Sequence, residues 1–313
     1  MPFERFSMRN NRQFYFYILC AICAIVPVAG SSSWATDGST GKLCVYVVNY
    51  PLKYFTERIG GEHVKVVFPA PATVDPAYWM PEIKTISAYQ QADLILLNGA
   101  GYAKWIYQVS LPQSKLVNTS AKFEEQYIRV KGAVSHSHGP GGQHAHEGIA
   151  FTTWIDFNLA AGQAKAIAVA FGRRRPQLKN TFEKNFADLK KDLLVLDQSI
   201  KAIVSKNQNQ PLIASHPVYD YFARRYGLNI NSVHWEPDEI PSREQWMEVQ
   251  NILKHHPSQW MIWEGTPIKE PVERLKSLGI NSLVYDPCGN TPQEGDFLKI
   301  MHQNVENLQR VFP

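Results

Sequence analysis

Four of the chain's ten histidines, His136, His138, His144 and His146, fall in one short stretch, His136-Ser137-His138-Gly139-Pro140-Gly141-Gly142-Gln143-His144-Ala145-His146-Glu147. Imidazole is the commonest side-chain ligand for zinc and its neighbours. Two His-x-His pairs on Gly- and Pro-broken backbone can close around one ion without a preformed scaffold. The plainer reading is a solvated loop that binds metal as loosely as a histidine tag does. A second group of residues has a different address. His216 follows Leu212-Ile213-Ala214-Ser215, Glu264 follows Trp260-Met261-Ile262-Trp263, and Asp286 follows Ser282-Leu283-Val284-Tyr285. His beside Asp suits a borderline divalent cation. Taken singly, His216 reads as a helix-entry residue and Asp286 as a turn former before Pro287.

These residues gain meaning from the elements that carry them. Leu43 to Val48 is an apolar, β-branched run, as a buried strand requires, and His63 to Phe68 alternates like a second strand. Pro51 to Ile59 and Pro81 to Gln91 read as helices, and Asp93 to Leu97 as a third strand. Strand–helix–strand alternation implies a parallel sheet with crossover helices, whose ligands bind outside the carboxyl ends of the strands. The alternation resumes after Pro211, which places His216, Glu264 and Asp286 at one sheet edge. Between the two runs, Leu178, Phe182, Phe186, Leu189, Leu193, Leu196, Ile200 and Ile203 form one helical stripe. A helix from Pro176 to Ser205 would be roughly 45 Å long at ~1.5 Å per residue. Such a helix suits a strut between two α/β halves better than a coiled-coil dimer seam.

The expected architecture is therefore α/β, two parallel-sheet lobes joined by a long rigid helix with a ligand cleft between them. The expected divisions are residues 1–35 as a signal peptide, 42–158 as the first lobe with the histidine loop 136–147, 159–206 as a helical segment, and 211–313 as the second lobe. The composition of 44% hydrophobic and 19% charged residues is that of a globular chain. A net charge of +4 with no basic block gives no footprint for nucleic acid. Arg5, Arg9 and Arg12 precede an apolar run from Phe14 to Val28, and Ser33-Trp34-Ala35 is a cleavage site of the secretory kind. An uncleaved anchor at residues 14–28 is the alternative. Cys20 and Cys23 follow Leu19 and Ile22, not the small residue that a lipoprotein signal needs. Cys44 and Cys288 read as free thiols.

Several motifs together resemble the zinc- and manganese-binding periplasmic proteins of bacterial ABC importers. They are Asp75-Pro76, Pro81, Ala92 to Gly99, Trp154-Ile155-Asp156, His216-Pro217-Val218-Tyr219 and Tyr221 to Leu228. The resemblance covers nearly the whole mature chain. It implies two α/β lobes joined by a rigid helix, a divalent metal as cargo and an inner-membrane ABC permease as partner, with the protein a periplasmic monomer. It also implies three His and one carboxylate as ligands. The first His would follow Asp-Pro, where Ala77 stands, and the second would precede the Trp by two residues, where Thr152 stands. The third matches His216 and the carboxylate matches Asp286.

With two family ligands absent, the expectation is that the histidine loop supplies the rest, His144 and His146 first and His136 and His138 with them. Zinc is preferred over manganese, which favours more oxygen ligands. One alternative is a cleft remade for an organic molecule or metal chelate, stacked on Tyr78, Trp79, Trp154, Tyr219 or Trp235, although packing at a lobe interface accounts for such aromatics equally. Another is a loop that only collects metal or passes it on. His63, His234, His255, His256 and His302 read as surface histidines. A zinc hydrolase is the least favoured reading, because the chain has no His-Glu-x-x-His motif, nucleophile elbow or phosphate loop.

Overall fold

The structure is a computed structural model. It describes residues 41–130, 135–137, 143–145 and 148–313. The expected signal segment, with Cys20 and Cys23, lies outside the described residues. Two four-stranded parallel sheets organise the rest. The first has the order β2-β1-β3-β4, from β1 (Leu43–Val47), β2 (Val64–Val67), β3 (Leu94–Leu97) and β4 (Leu116–Asn118). Four short strands follow in two antiparallel ribbons, β5 (Arg129–Val130) with β8 (Gly148–Ile149), and β6 (Ser135–Ser137) with β7 (Gln143–Ala145). The second parallel sheet has the order β10-β9-β11-β12, from β9 (Pro211–Ala214), β10 (Asn229–Ser232), β11 (Trp260–Trp263) and β12 (Asn281–Val284). In each sheet the chain reverses direction across the sheet between the two inner strands, and the crevice at that reversal is where ligands of such sheets bind.

Helices α1 (Tyr50–Gly60) and α2 (Ile83–Gln91) connect the first sheet. Asn49 starts α1 because its side chain accepts the Leu52 N–H at 3.1 Å, and Pro51 is pre-set for the first turn. Asp156 caps α3 (Phe157–Arg174) in the same way, accepting from Asn158 and Leu159. After a short 3₁₀ turn at Pro176–Leu178 comes α4 (Lys179–Val204), 26 residues and hence about 39 Å long. The expected strut is present but begins at Lys179, since the backbone around Pro176 is wound more tightly. Its stripe is buried as the spacing predicts, with Phe182, Leu189, Leu193, Leu196 and Ile200 at 0–1% exposure. Along its length it touches both halves. Asp192 meets Arg58 of α1 at 2.7 Å, and Asp197 receives both Nε and a terminal nitrogen of Arg225 at 2.8 Å from α5 (Asp220–Tyr226).

Helices α6 (Arg243–His255), α7 (Lys269–Ser277) and α8 (Phe297–Gln309) complete the second half. Residues 41–313 form one compact unit. The main core runs from β1 and α1 through α3 and α4 to Tyr219, Phe222 and α8. A smaller core on the outer face of the second sheet gathers Trp235, Trp246, Met261 and Trp263. No helix among the described residues is long and apolar enough to cross a membrane. Cys44 and Cys288 are free thiols, as expected.

Candidate metal centre

Because all four strands of the second sheet run in parallel, their exits share one edge. β9 leads to His216, β10 to Glu236, β11 to Glu264 and β12 to Asp286. Backbone bonds past the strand ends hold these exits in register. Ser215 donates to Ile262 at 2.8 Å, Trp235 to Ser215 at 2.7 Å, and Tyr285 to Trp263 at 2.9 Å. His216 leaves the central strand β9, so Glu236 and Glu264 reach it from either side. Its Nδ1 lies 3.5 Å from Glu236 Oε1 and 3.7 Å from Glu264 Oε1. One donor atom from each of the three lies within 4.8 Å of the others. Two ligands at ~2.1 Å from a tetrahedral ion stand roughly 3.4 Å apart. The two distances from His216 are close to that separation.

The electrostatics point the same way. His216 is 3% exposed. Burial pushes the Glu264 carboxyl well above the usual carboxylate range, and the charges of Glu236, Asp75 and Asp286 push it further. Burial also raises Asp286, against a lowering bond from the Cys288 N–H. That bond, at 2.6 Å, fixes the Asp286 side chain, while Asn304 donates to its carbonyl at 2.7 Å and accepts from its N–H at 2.9 Å. Crowded, desolvated carboxylates are costly unless a proton or a cation is shared among them. The donor set fits a divalent ion.

His216, Glu236, Glu264 and Asp286 line a cavity of about 650 Å³ with Asp75, Tyr78, Lys104, Phe151 and Thr152. The first sheet presents a different edge to this region. Its exits carry neutral groups that satisfy one another. Gln163 donates to Asn98 Oδ1 at 3.0 Å and to Thr119 at 3.1 Å, and Asn49 donates to Asn98 at 3.2 Å. Gly99 holds φ +77°, and a Cβ there would stand 1.9 Å from Ser120 Oγ, so only glycine fits this tight exit. The two positions where the resemblance implies further histidines are occupied by Ala77 and Thr152. Ala77 is 1% exposed and Thr152 gives its hydroxyl to the Val218 carbonyl.

Of the residues expected at this edge, His216 and Glu264 come together, whereas Asp286 lines the same cavity but lies outside the cluster of three donor atoms. Glu236 joins His216 and Glu264, and sequence alone does not announce it, because the polar run Asn229–Ser232 carries no apolar strand signal. A visible signal was Gly227, in the left-handed conformation that ends α5 and so permits a new strand. His136 and His144 stand opposite each other in the β6–β7 register. His138 and His146 lie outside the described residues. The β5–β8 ribbon bounds this segment, and Val130, Gly148 and Ile149 line the cavity.

The aromatic expectations divide. Trp154 lines the cavity and donates to the Pro287 carbonyl at 2.7 Å, and Tyr78 lines it too. Trp235 is fully buried in the outer core, and Tyr219 is buried with its hydroxyl on the Tyr285 carbonyl at 2.8 Å, so both are packing residues. Two histidines expected at the surface are not there in that sense. His256 is buried with Nε2 at 2.8 Å from the Leu212 carbonyl, and His234 sets its ring edge-on to His216 at 5.7 Å.

Comparison with known proteins places this geometry in context. Residues 45–311 match the family described as zinc-uptake complex component A, periplasmic (ZnuA). The zinc-binding lipoprotein AdcA of Streptococcus pneumoniae is 24% identical over 311 residues, covering 94% of this chain and 60% of that protein. The chain thus spans about 60% of that relative's length. The high-affinity zinc uptake system protein ZnuA of Bacillus subtilis is 25% identical over 315 residues, covering 94% of this chain and 95% of that one. Among solved structures, the Zn(II)-bound ZnuA-like domain of S. pneumoniae AdcA superposes with a TM-score of 0.74 at 20% identity, covering 87% of this chain and 99% of that chain.

Proposed function

The chain belongs to the ZnuA family of periplasmic zinc-uptake components, and on that premise we propose that it is an extracytoplasmic solute-binding protein that captures a divalent transition metal for an ABC importer. Zinc is the favoured cargo and manganese the alternative. The observation that carries this reading is the spacing of His216, Glu236 and Glu264, which suits one ion. Asp286, on the same edge, is the third acid of the site and lies outside the cluster of three donor atoms. The relatives named for zinc support zinc here, and the single imidazole keeps some preference for it, although three carboxylates move the site toward harder ions.

The work is capture and release rather than catalysis. The histidine loop His136–His146 supplies further ligands to the ion, with a collecting role as the alternative; the ribbon that bounds it reaches the cavity wall, which supports this reading. The partner is an inner-membrane permease that receives the ion, and the protein acts as a monomer. Export and cleavage near residue 35 are part of the same reading, with anchoring at the N-terminal segment as the alternative. Calorimetric titration of the metal-stripped protein with zinc tests it. A one-to-one site lost in His216→Ala supports the proposal, and weak, multiple binding unchanged by that substitution refutes it.

A further inference from the structure

The two walls of the cavity differ in chemistry. The wall built by the second sheet carries the donor cluster. The facing wall presents Tyr78, Phe151 and Thr152, together with Asp75 and Lys104. Among the described residues lining the cavity, His216 is the single imidazole and Lys104 the single Lys or Arg. Lys104 sets its ammonium 4.6 Å from the centroid of the Tyr78 ring, a cation–π contact that stations the charge on the wall facing the cluster. The Thr152 hydroxyl is already used on the Val218 carbonyl.

Size separates a bare ion from a larger guest. A four-coordinate zinc ion with ligands at about 2.0–2.3 Å fills a small part of such a space, and cavities of ~300–1,000 Å³ are the range used for small organic molecules. The volume here is about 650 Å³. Three protein ligands from one wall leave a coordination position open toward the other. Zinc takes nitrogen or oxygen ligands there, and the described lining offers no second imidazole.

We propose that the protein takes up zinc together with a small zwitterionic chelator of the amino-acid class. The chelator's amine or imidazole nitrogen completes the shell begun by His216, Glu236 and Glu264. Its carboxylate meets Lys104, and its body lies against Tyr78 and Phe151. A polycarboxylate fits poorly, because Asp75, Glu236, Glu264 and Asp286 already crowd the cavity with negative charge. This inference rests on the metal-binding reading above and specifies the form in which the metal arrives.

The test uses the metal-stripped full chain with isotope-labelled L-histidine as the probe, with and without zinc, followed by ultrafiltration and quantitation of both. The expected result is one histidine retained per chain, only when zinc is present. Retention is lost in His216→Ala and falls at least tenfold in Lys104→Met. Zinc retained tightly with no histidine overturns the inference and leaves the metal site standing. Histidine retained equally without zinc overturns it as well, making the cleft an amino-acid site. Retention of neither refutes the metal reading and the inference with it.

Discussion

His216 and Glu236 leave neighbouring parallel strands and meet with Nδ1 and Oε1 3.5 Å apart. Backbone bonds past the strand ends, from Val233 to the Ala214 carbonyl at 2.9 Å and from Trp235 to the Ser215 carbonyl at 2.7 Å, hold the two exits side by side. Removing a ligand should then cost affinity without costing the fold. His216→Ala is expected to weaken zinc binding at least ~100-fold and Glu236→Gln at least ~10-fold, since even partners behind a ligand are worth roughly 10–100-fold. Calorimetry on stripped protein measures this. Equal affinities in the two variants and the parent would place the ion elsewhere.

Glu264 makes binding sensitive to pH. Its carboxyl is held well above the usual range by burial and by the neighbouring acids. A proton on that carboxyl therefore competes with the metal for the site. Affinity is expected to fall as pH falls, with a proton released on binding. Titrations in buffers of different ionisation enthalpy report that proton as a buffer-dependent heat. A heat independent of buffer in the parent protein would contradict it.

The same residue carries a stability cost. Its folded pKa lies above its unfolded value of ~4.3, so in the window between them the unfolded chain has lost a proton that the folded chain retains. Stability of the metal-free protein thus declines as pH rises through that window. Glu264→Gln is expected to raise the metal-free melting temperature at neutral pH, and the gain should vanish below pH ~4. A lower melting temperature at neutral pH would show that the carboxylate stabilises the empty fold.

Asp197 ties the strut to the second half. Burial alone would raise its carboxyl, but the bonds from Arg225, Lys201 and Tyr226 outweigh that and hold it below the usual range. A depressed folded pKa gives stability that is present above the unfolded value of ~3.9 and is lost as pH falls through the folded one. Asp197→Ala leaves Arg225 without its bidentate partner. Loss of a fully buried pair costs about 3–5 kcal/mol, and because Arg225 is part exposed the expected loss is about 2 kcal/mol. Chemical denaturation at neutral pH checks this, and a change near zero would mean that solvent screens the pair.

Much of the site was readable before the fold was known. Short apolar runs mark buried parallel strands, and the polar residue after each run marks the binding edge, which makes His216, Glu264 and Asp286 legible at one sheet edge. Glu236 was missed because β10 is an edge strand. Asn229 to Ser232 alternates between exposed and half-buried positions and has no apolar run to announce it. α6 was missed as well, although Ser242 and Gln245 form a reciprocal capping box at its start. The strut was legible because its stripe is long and uninterrupted. Which aromatics pack and which line the cavity is not legible, since Trp235 and Trp154 are both buried and only their neighbours in the fold, the outer cluster for one and the cavity for the other, tell them apart.

Zinc-edge anomalous diffraction from crystals of the zinc-loaded protein tests the central claim most directly. The expected result is one strong peak at about 2.0–2.3 Å from the His216 imidazole and from carboxylate oxygens of Glu236 and Glu264. A single peak held by residues of the 136–147 loop, away from His216, would contradict it.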